Sequence, residues 1–250
     1  MWQFSLYFGK EIFYYIKSLY DDLKKVCTDE KCCIRIFAKD DNFVLLLALP
    51  KNIYEKQILK IKKCIIQSIL LYYKPKIIID GINNFSTENI SNRIMMDILC
   101  SFDIESEKKL IFNKLSLCDK LYLSSFVQFS LVELTKNWQQ MASLINQNSK
   151  FLNDEYVKFD LMRFLMTGIA QTAQKIEISC QKNNYIVLLD NKKFCQFDYL
   201  FFFNSNFDKV LHLIISKFPQ KIVLQNYKKF DIGFVNNLYN LFGDKLKLLE

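Results

Sequence analysis

His212 is the only histidine in the chain, and it stands four residues after Asp208 and four before Ser216. At helical spacing the three share one face, opposite Leu211, Ile214, Ile215 and Phe218. A carboxylate that orients an imidazole is the arrangement of a general base. Asp208 also falls in the first turn of such a helix, where a carboxylate suits the dipole without any catalysis, so the expected setting is a solvent-facing polar face. A second acidic grouping is Asp80, which ends the run KIIID ahead of Gly81, with Asp40 and Asp41 in a separate turn. Carboxylates that converge at strand ends can hold paired metal ions. No second acid is evident on a neighbouring strand, however, and Asp-Gly after a strand is ordinary turn chemistry.

The eight cysteines, at 27, 32, 33, 64, 100, 118, 180 and 195, include no C-x-x-C pair, and one histidine cannot complete a Cys/His zinc framework. Several lie in apolar runs, such as Cys64 in LKIKKCIIQSILL, and read as reduced buried thiols. A vicinal disulfide between Cys32 and Cys33 would demand strained geometry. Nucleotide-binding and hydrolase signatures are missing, and five glycines leave little for a phosphate-cradling loop. The run Tyr199-Leu200-Phe201-Phe202-Phe203 has the residues of a base-stacking platform but also those of a buried strand.

A net charge of +8 invites a polyanion partner. Of the 34 basic residues only Arg35, Arg93 and Arg163 carry the guanidinium fork that suits phosphates and bases. The doublets Lys24-Lys25, Lys62-Lys63, Lys108-Lys109, Lys192-Lys193 and Lys228-Lys229 are scattered, which reads as solvated surface. Lys10, Glu11 and Lys17 interrupt the first apolar stretch too early for a secretory signal, and the densest apolar runs, FVLLLAL and YLFFF, are far shorter than a membrane span. The expected location is cytoplasmic, with no membrane span.

The elements that would position these residues follow from hydrophobic period. Residues 2–8 read as a strand, 11–26 as a helix with Ile12, Ile16, Leu19, Tyr20 and Leu23 on one face, and 33–38 and 43–49 as a hairpin around Lys39-Asp40-Asp41-Asn42. Residues 54–73 read as a second helix and, after Pro75, 76–80 as a strand, giving the order βαββαβ of a ferredoxin-like unit. From 82 to 173 only helices are expected: one opened by Ser86 and Thr87, then 105–117, 121–145 and 154–166. Strands at 175–180 and 185–190 form a hairpin. A helix at 208–217, a strand at 221–224, a helix near 234–242 and a strand at 245–249 then alternate in the manner of a parallel pair.

Three stretches resemble the YtxC-like family of sporulation proteins of endospore-forming Bacillota. LYLSSFVQFSLVEL (121–134) looks like that family's middle segment. DEYVKFDLMRFLM (154–166) is similar to its E-Y-x-x-F-x-x-L-x-x-F signature. FDKVLHLIISKFPQKIVLQN (207–226) with NLFGDKLKLLE (240–250) is similar to its closing helix, strand, helix, strand. Ser130 stands where the family has Arg, and Ser125 where Gly is common. The resemblance implies a developmental context and carries over no site residues.

The expectation is thus an α+β protein with an N-terminal βαββαβ ferredoxin-like unit (1–81), a helical middle section (82–173) and a small C-terminal α/β unit (174–250). No residue is assigned as catalytic, cofactor-binding or metal-ligating, and no cofactor is expected. The expected role is non-enzymatic, through contacts with a protein partner. The alternatives are a nucleic-acid or polyanion binder and, third, a metal-dependent enzyme with an acidic site. On the thiols the sequence is specific: alkylation under non-reducing conditions followed by titration of the denatured chain should find eight free groups, and six or fewer would contradict this reading.

Overall fold

The computed structural model describes residues 1–9, 12–83, 85–86, 88–149, 154–181, 184–194 and 206–250. The chain runs β1 (Trp2–Gly9), α1 (Phe13–Val26), β2 (Cys33–Lys39), β3 (Asn42–Leu49), α2 (Lys51–Gly81), α3 (Ile90–Ser101) and α4 (Ile104–Lys114). Then come β4 (Lys120–Tyr122), α5 (Leu123–Ser125), a π-helical stretch (Phe126–Ser130), α6 (Val132–Gln147) and α7 (Glu155–Met166). The last part is β5 (Lys175–Gln181), β6 (Asn184–Leu189), β7 (Lys192–Phe194), α8 (Asn206–Lys217), β8 (Lys221–Gln225), α9 (Ile232–Phe242) and β9 (Leu246–Leu249). It is a mixed α+β protein with a mainly helical middle. Among the described residues no helix is long and apolar enough to cross a membrane. In space the chain forms two compact units, Met1–Ile78 with Ser106–Gln140, and Ile79–Glu105 with Met141–Glu250.

The first unit is built on a four-stranded sheet in the order β2-β3-β1-β4. Antiparallel register sets Phe4 opposite Leu47 and Leu6 opposite Leu45, and all four side chains are buried. The apolar stripe of α1, Ile16, Leu19 and Leu23, is buried as its spacing demands. Residues 76–80, expected as a strand, are instead the last turns of α2. Pro75 removes a main-chain bond inside a helix and costs about 3 kcal/mol or more. Against that, Ile61, Ile65, Ile69, Tyr72, Pro75 and Ile78 are buried at unbroken helical spacing, and each fully buried aliphatic side chain contributes about 1.5–3 kcal/mol. Burial outweighs the proline, and the contiguous βαββαβ order is lost.

The open edge of β1 is paired from further along the chain. β4 lies parallel to it with Ser5 opposite Lys120, Leu6 opposite Leu121 and Tyr7 opposite Tyr122, and the Ser5 amide donates to Asp119 at 2.9 Å. The middle section therefore contains a paired strand where only helices were expected. The single helix expected over 121–145 is divided accordingly, with Leu131 bonded back to Phe126 at 3.2 Å in the π stretch before α6 begins. Within this unit Lys74 of α2 is fully buried and its Nζ donates to Glu107 Oε2 of α4 at 2.8 Å. The other carboxylate oxygen, Oε1, accepts from Trp138 Nε1 of α6 at 2.8 Å.

The second unit carries a five-stranded sheet, β7-β6-β5-β8-β9. β5, β8 and β9 are parallel, and β6 and β7 run antiparallel. The consecutive run Ile222, Val223 and Leu224 is buried, as befits a strand covered on both faces. Asn89, rather than Ser86 or Thr87, caps α3, accepting from the Ser91 amide at 2.8 Å, and Thr87 lies outside the described residues. Asp154 caps α7 and accepts from the Tyr156 amide at 2.8 Å. Gly81 is where α2 ends against α6, since a Cβ there would lie 2.7 Å from Ala142 Cβ. Asn146 holds that end, donating to the Gly81 carbonyl at 2.8 Å and accepting from the Asn83 amide at 2.9 Å.

Removing one partner of a buried ion pair is far more costly than removing both. Glu107→Ala should lower the unfolding free energy by about 3–5 kcal/mol. Lys74→Met combined with Glu107→Gln, which keeps an acceptor for Trp138, should recover most of it. Denaturant titration of the three proteins checks this; equal losses in the single and double variants would contradict it.

Candidate functional site

The polar face of α8 is not exposed to solvent. Asp208 and His212 are 2% and 8% exposed, because α3 packs on them. Arg93 and Asp97, four residues apart on α3, meet Asp208 and His212, four apart on α8. Arg93 Nε donates to Asp208 Oδ1 at 3.0 Å, and His212 Nδ1 lies 3.3 Å from Asp97 Oδ1. The second contact lacks the alignment of a hydrogen bond and is an ion pair only when the imidazole is protonated. The carboxylate beside the histidine is thus Asp97, not Asp208, and Ser216 instead donates to the Leu213 carbonyl of its own helix at 3.1 Å. The expected solvent-facing trio is corrected to a two-rung ladder inside the unit.

Burial pushes the Asp97 carboxyl up to about 6, with His212 and Arg93 opposing that shift and the Asp208 carboxylate adding to it. Neither cavity described below is lined by Arg93, Asp97, Asp208 or His212. The four side chains pack α3 onto α8. Sequence reading missed Arg93 and Asp97 although a signal existed: they are the charges in Arg93-Ile94-Met95-Met96-Asp97-Ile98-Leu99, a stretch whose apolar residues are all buried.

Asp80 sits in the last turn of α2, so it does not end a strand. Asp40 holds the β2–β3 turn with φ 53°. Among the described residues no group of three or more His, Cys, Asp or Glu side chains is placed to hold a metal ion. Cys27, Cys32, Cys33, Cys64, Cys118 and Cys180 carry free thiols, and burial pushes the Cys27 and Cys64 thiols up to about 11. Cys195 and the run Tyr199 to Phe203 lie outside the described residues. The lysines of the C-terminal sheet do not gather. Lys192 and Lys193 belong to β7 and Lys247 to β9, the two edges of a five-stranded sheet, roughly 19 Å apart at the usual strand spacing. Lys228 pairs with Glu250 at 2.6 Å, and Lys245 lies 3.8 Å over the Phe218 ring.

Two cavities flank α7, both in the second unit. One, of about 480 Å³, is an apolar groove lined by Leu99 of α3, Met141, Leu144 and Ile145 of α6, and Val157, Leu161 and Leu165 of α7. The four-residue spacing of the α7 residues gives a wall roughly 12 Å long. Leu144 is 58% exposed and Val157 42%, and Tyr156 and Phe164 of α7 are also exposed. The other, of about 270 Å³, is polar and lies beside the first turns of α3 and α7. In it Lys158 is only 8% exposed, and its Nζ donates to Asn92 Oδ1 at 2.6 Å. Burial lowers the Lys158 pKa, with Glu155 acting in the opposite sense. Neither cavity was visible in sequence, because each sets residues of α3 against residues of α6 and α7 that lie about forty or more positions further along the chain. Compared with known proteins, the chain matches no family model, no curated protein and no solved structure.

The ladder has a pH signature. With the folded Asp97 raised to about 6 from 3.8, the native state binds more protons than the unfolded state between those values. The unfolding free energy therefore falls as pH rises through that window, by up to about 3 kcal/mol. Asp97→Asn should abolish this component, so that variant and wild-type stabilities converge or cross as pH goes from 4 to 7. Parallel pH profiles in urea titration would contradict it.

Proposed function

We propose that the protein is a non-enzymatic cytoplasmic protein that works through contacts with a protein partner, and that the groove between α3, α6 and α7 receives an amphipathic helix of that partner. The observation that carries this reading is the groove itself, an apolar wall with Leu144 and Val157 exposed. Apolar surface that remains in water at a concave site marks an interaction surface. Its length suits about two helical turns, the span of anchors at i, i+3, i+4 and i+7. The net charge of +8 repels a second copy of this chain and favours an acidic partner. The resemblance of residues 121–134, 154–166, 207–226 and 240–250 to YtxC-like proteins adds a sporulation setting, and the DEYVKFDLMRFLM stretch supplies Val157, Leu161 and Leu165 to the groove. Lys192 and Lys193 lie at one edge of the C-terminal sheet and Lys247 at the other, an arrangement that does not favour the polyanion alternative there.

A photocrosslinking residue at Leu144, introduced in sporulating cells of the source organism, should capture an acidic protein through a segment with apolar residues at i, i+3, i+4 and i+7. The purified segment should bind the purified protein, and Val157→Asp should weaken it at least tenfold, about 1.4 kcal/mol, with the melting temperature unchanged. Crosslinks only to a second copy, or affinity indifferent to the substitution, would overturn the proposal.

A further inference from the structure

We propose that the polar cavity at the first turns of α3 and α7 binds a small organic carboxylate through Lys158. The inference stands on a different cavity from the groove and does not depend on it. Lys158 is buried, yet among the described residues it forms no ion pair; its one hydrogen bond goes to the neutral Asn92 Oδ1 at 2.6 Å. An ammonium has three donors, and burying one without an ion-pair partner is unfavourable; the Glu155 carboxylate acts on it without pairing with it. Its depressed pKa has the same cause, burial. A cavity of about 270 Å³ adjoins it and leaves room for a counter-ion.

The surroundings select the kind of anion. The cavity lies at the positive ends of two twelve-residue helices, whose dipoles favour negative charge. The Ser91, Asn92, Tyr156 and Val157 amides are already taken by the Asn89 and Asp154 caps, which leaves recognition chiefly to side chains. One lysine with no arginine, and with Glu155 also lining the cavity, suits a monoanion. A phosphate dianion would carry a second negative charge that one lysine does not balance and would meet repulsion from Glu155. The volume lies below that of a drug-sized site and fits a solute of amino-acid or hydroxy-acid size. Asn83 and Ser149 supply further polar lining, and Glu155 offers a place for an α-ammonium group.

The test is thermal unfolding with isothermal titration on the full chain, using α-amino acids in one arm and α-hydroxy acids in the other. The matching carboxamides and inorganic phosphate serve as controls. At a hundred times Kd, a cognate carboxylate should raise the melting temperature by roughly 5–10 °C, and its carboxamide should not. Preference for the amino-acid arm would assign the ammonium to Glu155, whereas equal binding in both arms would assign recognition to Lys158 alone. Lys158→Met should fold, since it replaces a buried charge with an apolar chain of similar size, and should lose the shift; Lys158→Gln serves as a second variant. Absence of any carboxylate binding at 10 mM (about 2.7 kcal/mol weaker than 0.1 mM affinity), equal binding of carboxamide or phosphate, or an unchanged shift in both variants would overturn the proposal.

Discussion

Polar side chains on the inward face of α3 dictate how the second unit is put together. Arg93, partly buried, and Asp97, fully buried, flank residues that are apolar and buried, so each needs a polar partner where water is excluded. α8 sets Asp208 and His212 opposite them at the same four-residue spacing, which fixes the direction and the register of the two helices together. A shift of α3 by one turn would set Asp97 against Asp208, carboxylate against carboxylate. With α3 held in that register, its N-terminal end lends Asn92 to the polar cavity and its C-terminal end lends Leu99 to the groove. The two candidate binding sites thus depend on a pairing that lines neither.

The first unit solves a similar problem differently. Lys74, Glu107 and Trp138 come from three helices, and both oxygens of the carboxylate are used at 2.8 Å. The ammonium and the carboxylate thus neutralise one another inside the core. Lys158 differs because its amide partner supplies no charge. The contrast between a buried lysine with its carboxylate and one without is what separates a structural pair from a binding site in this protein.

Much of the local structure was legible. Strand-like runs on either side of Lys39-Asp40-Asp41-Asn42 foretold β2 and β3, the stripe Ile16, Leu19 and Leu23 foretold α1, and the helix expected over 154–166 emerged as α7. The C-terminal alternation of strand and helix emerged as a sheet with parallel neighbours. What failed was decided by partners distant in sequence. Ile77-Ile78-Ile79 after a proline has the composition of a strand, and only the packing of Ile78 keeps it helical. Leu121 and Tyr122 fit a helical period, and only the free edge of β1 draws them into the sheet. Asp208 and His212 resemble a wet helix face until Arg93 and Asp97, more than a hundred residues earlier, are set against them.

The central claim is that the α3–α8 ladder is a coupled pairing that fixes register, and a double-mutant cycle measures that coupling directly. Arg93→Met, Asp208→Leu and the double variant should each be unfolded in denaturant. Buried neighbours of this kind couple by about 0.5–3 kcal/mol, and the account places this pair in the upper half of that range, with the double variant more stable than the sum of single losses requires. Additive losses, with coupling indistinguishable from zero, would show that the two charges reside together without holding α3 in place.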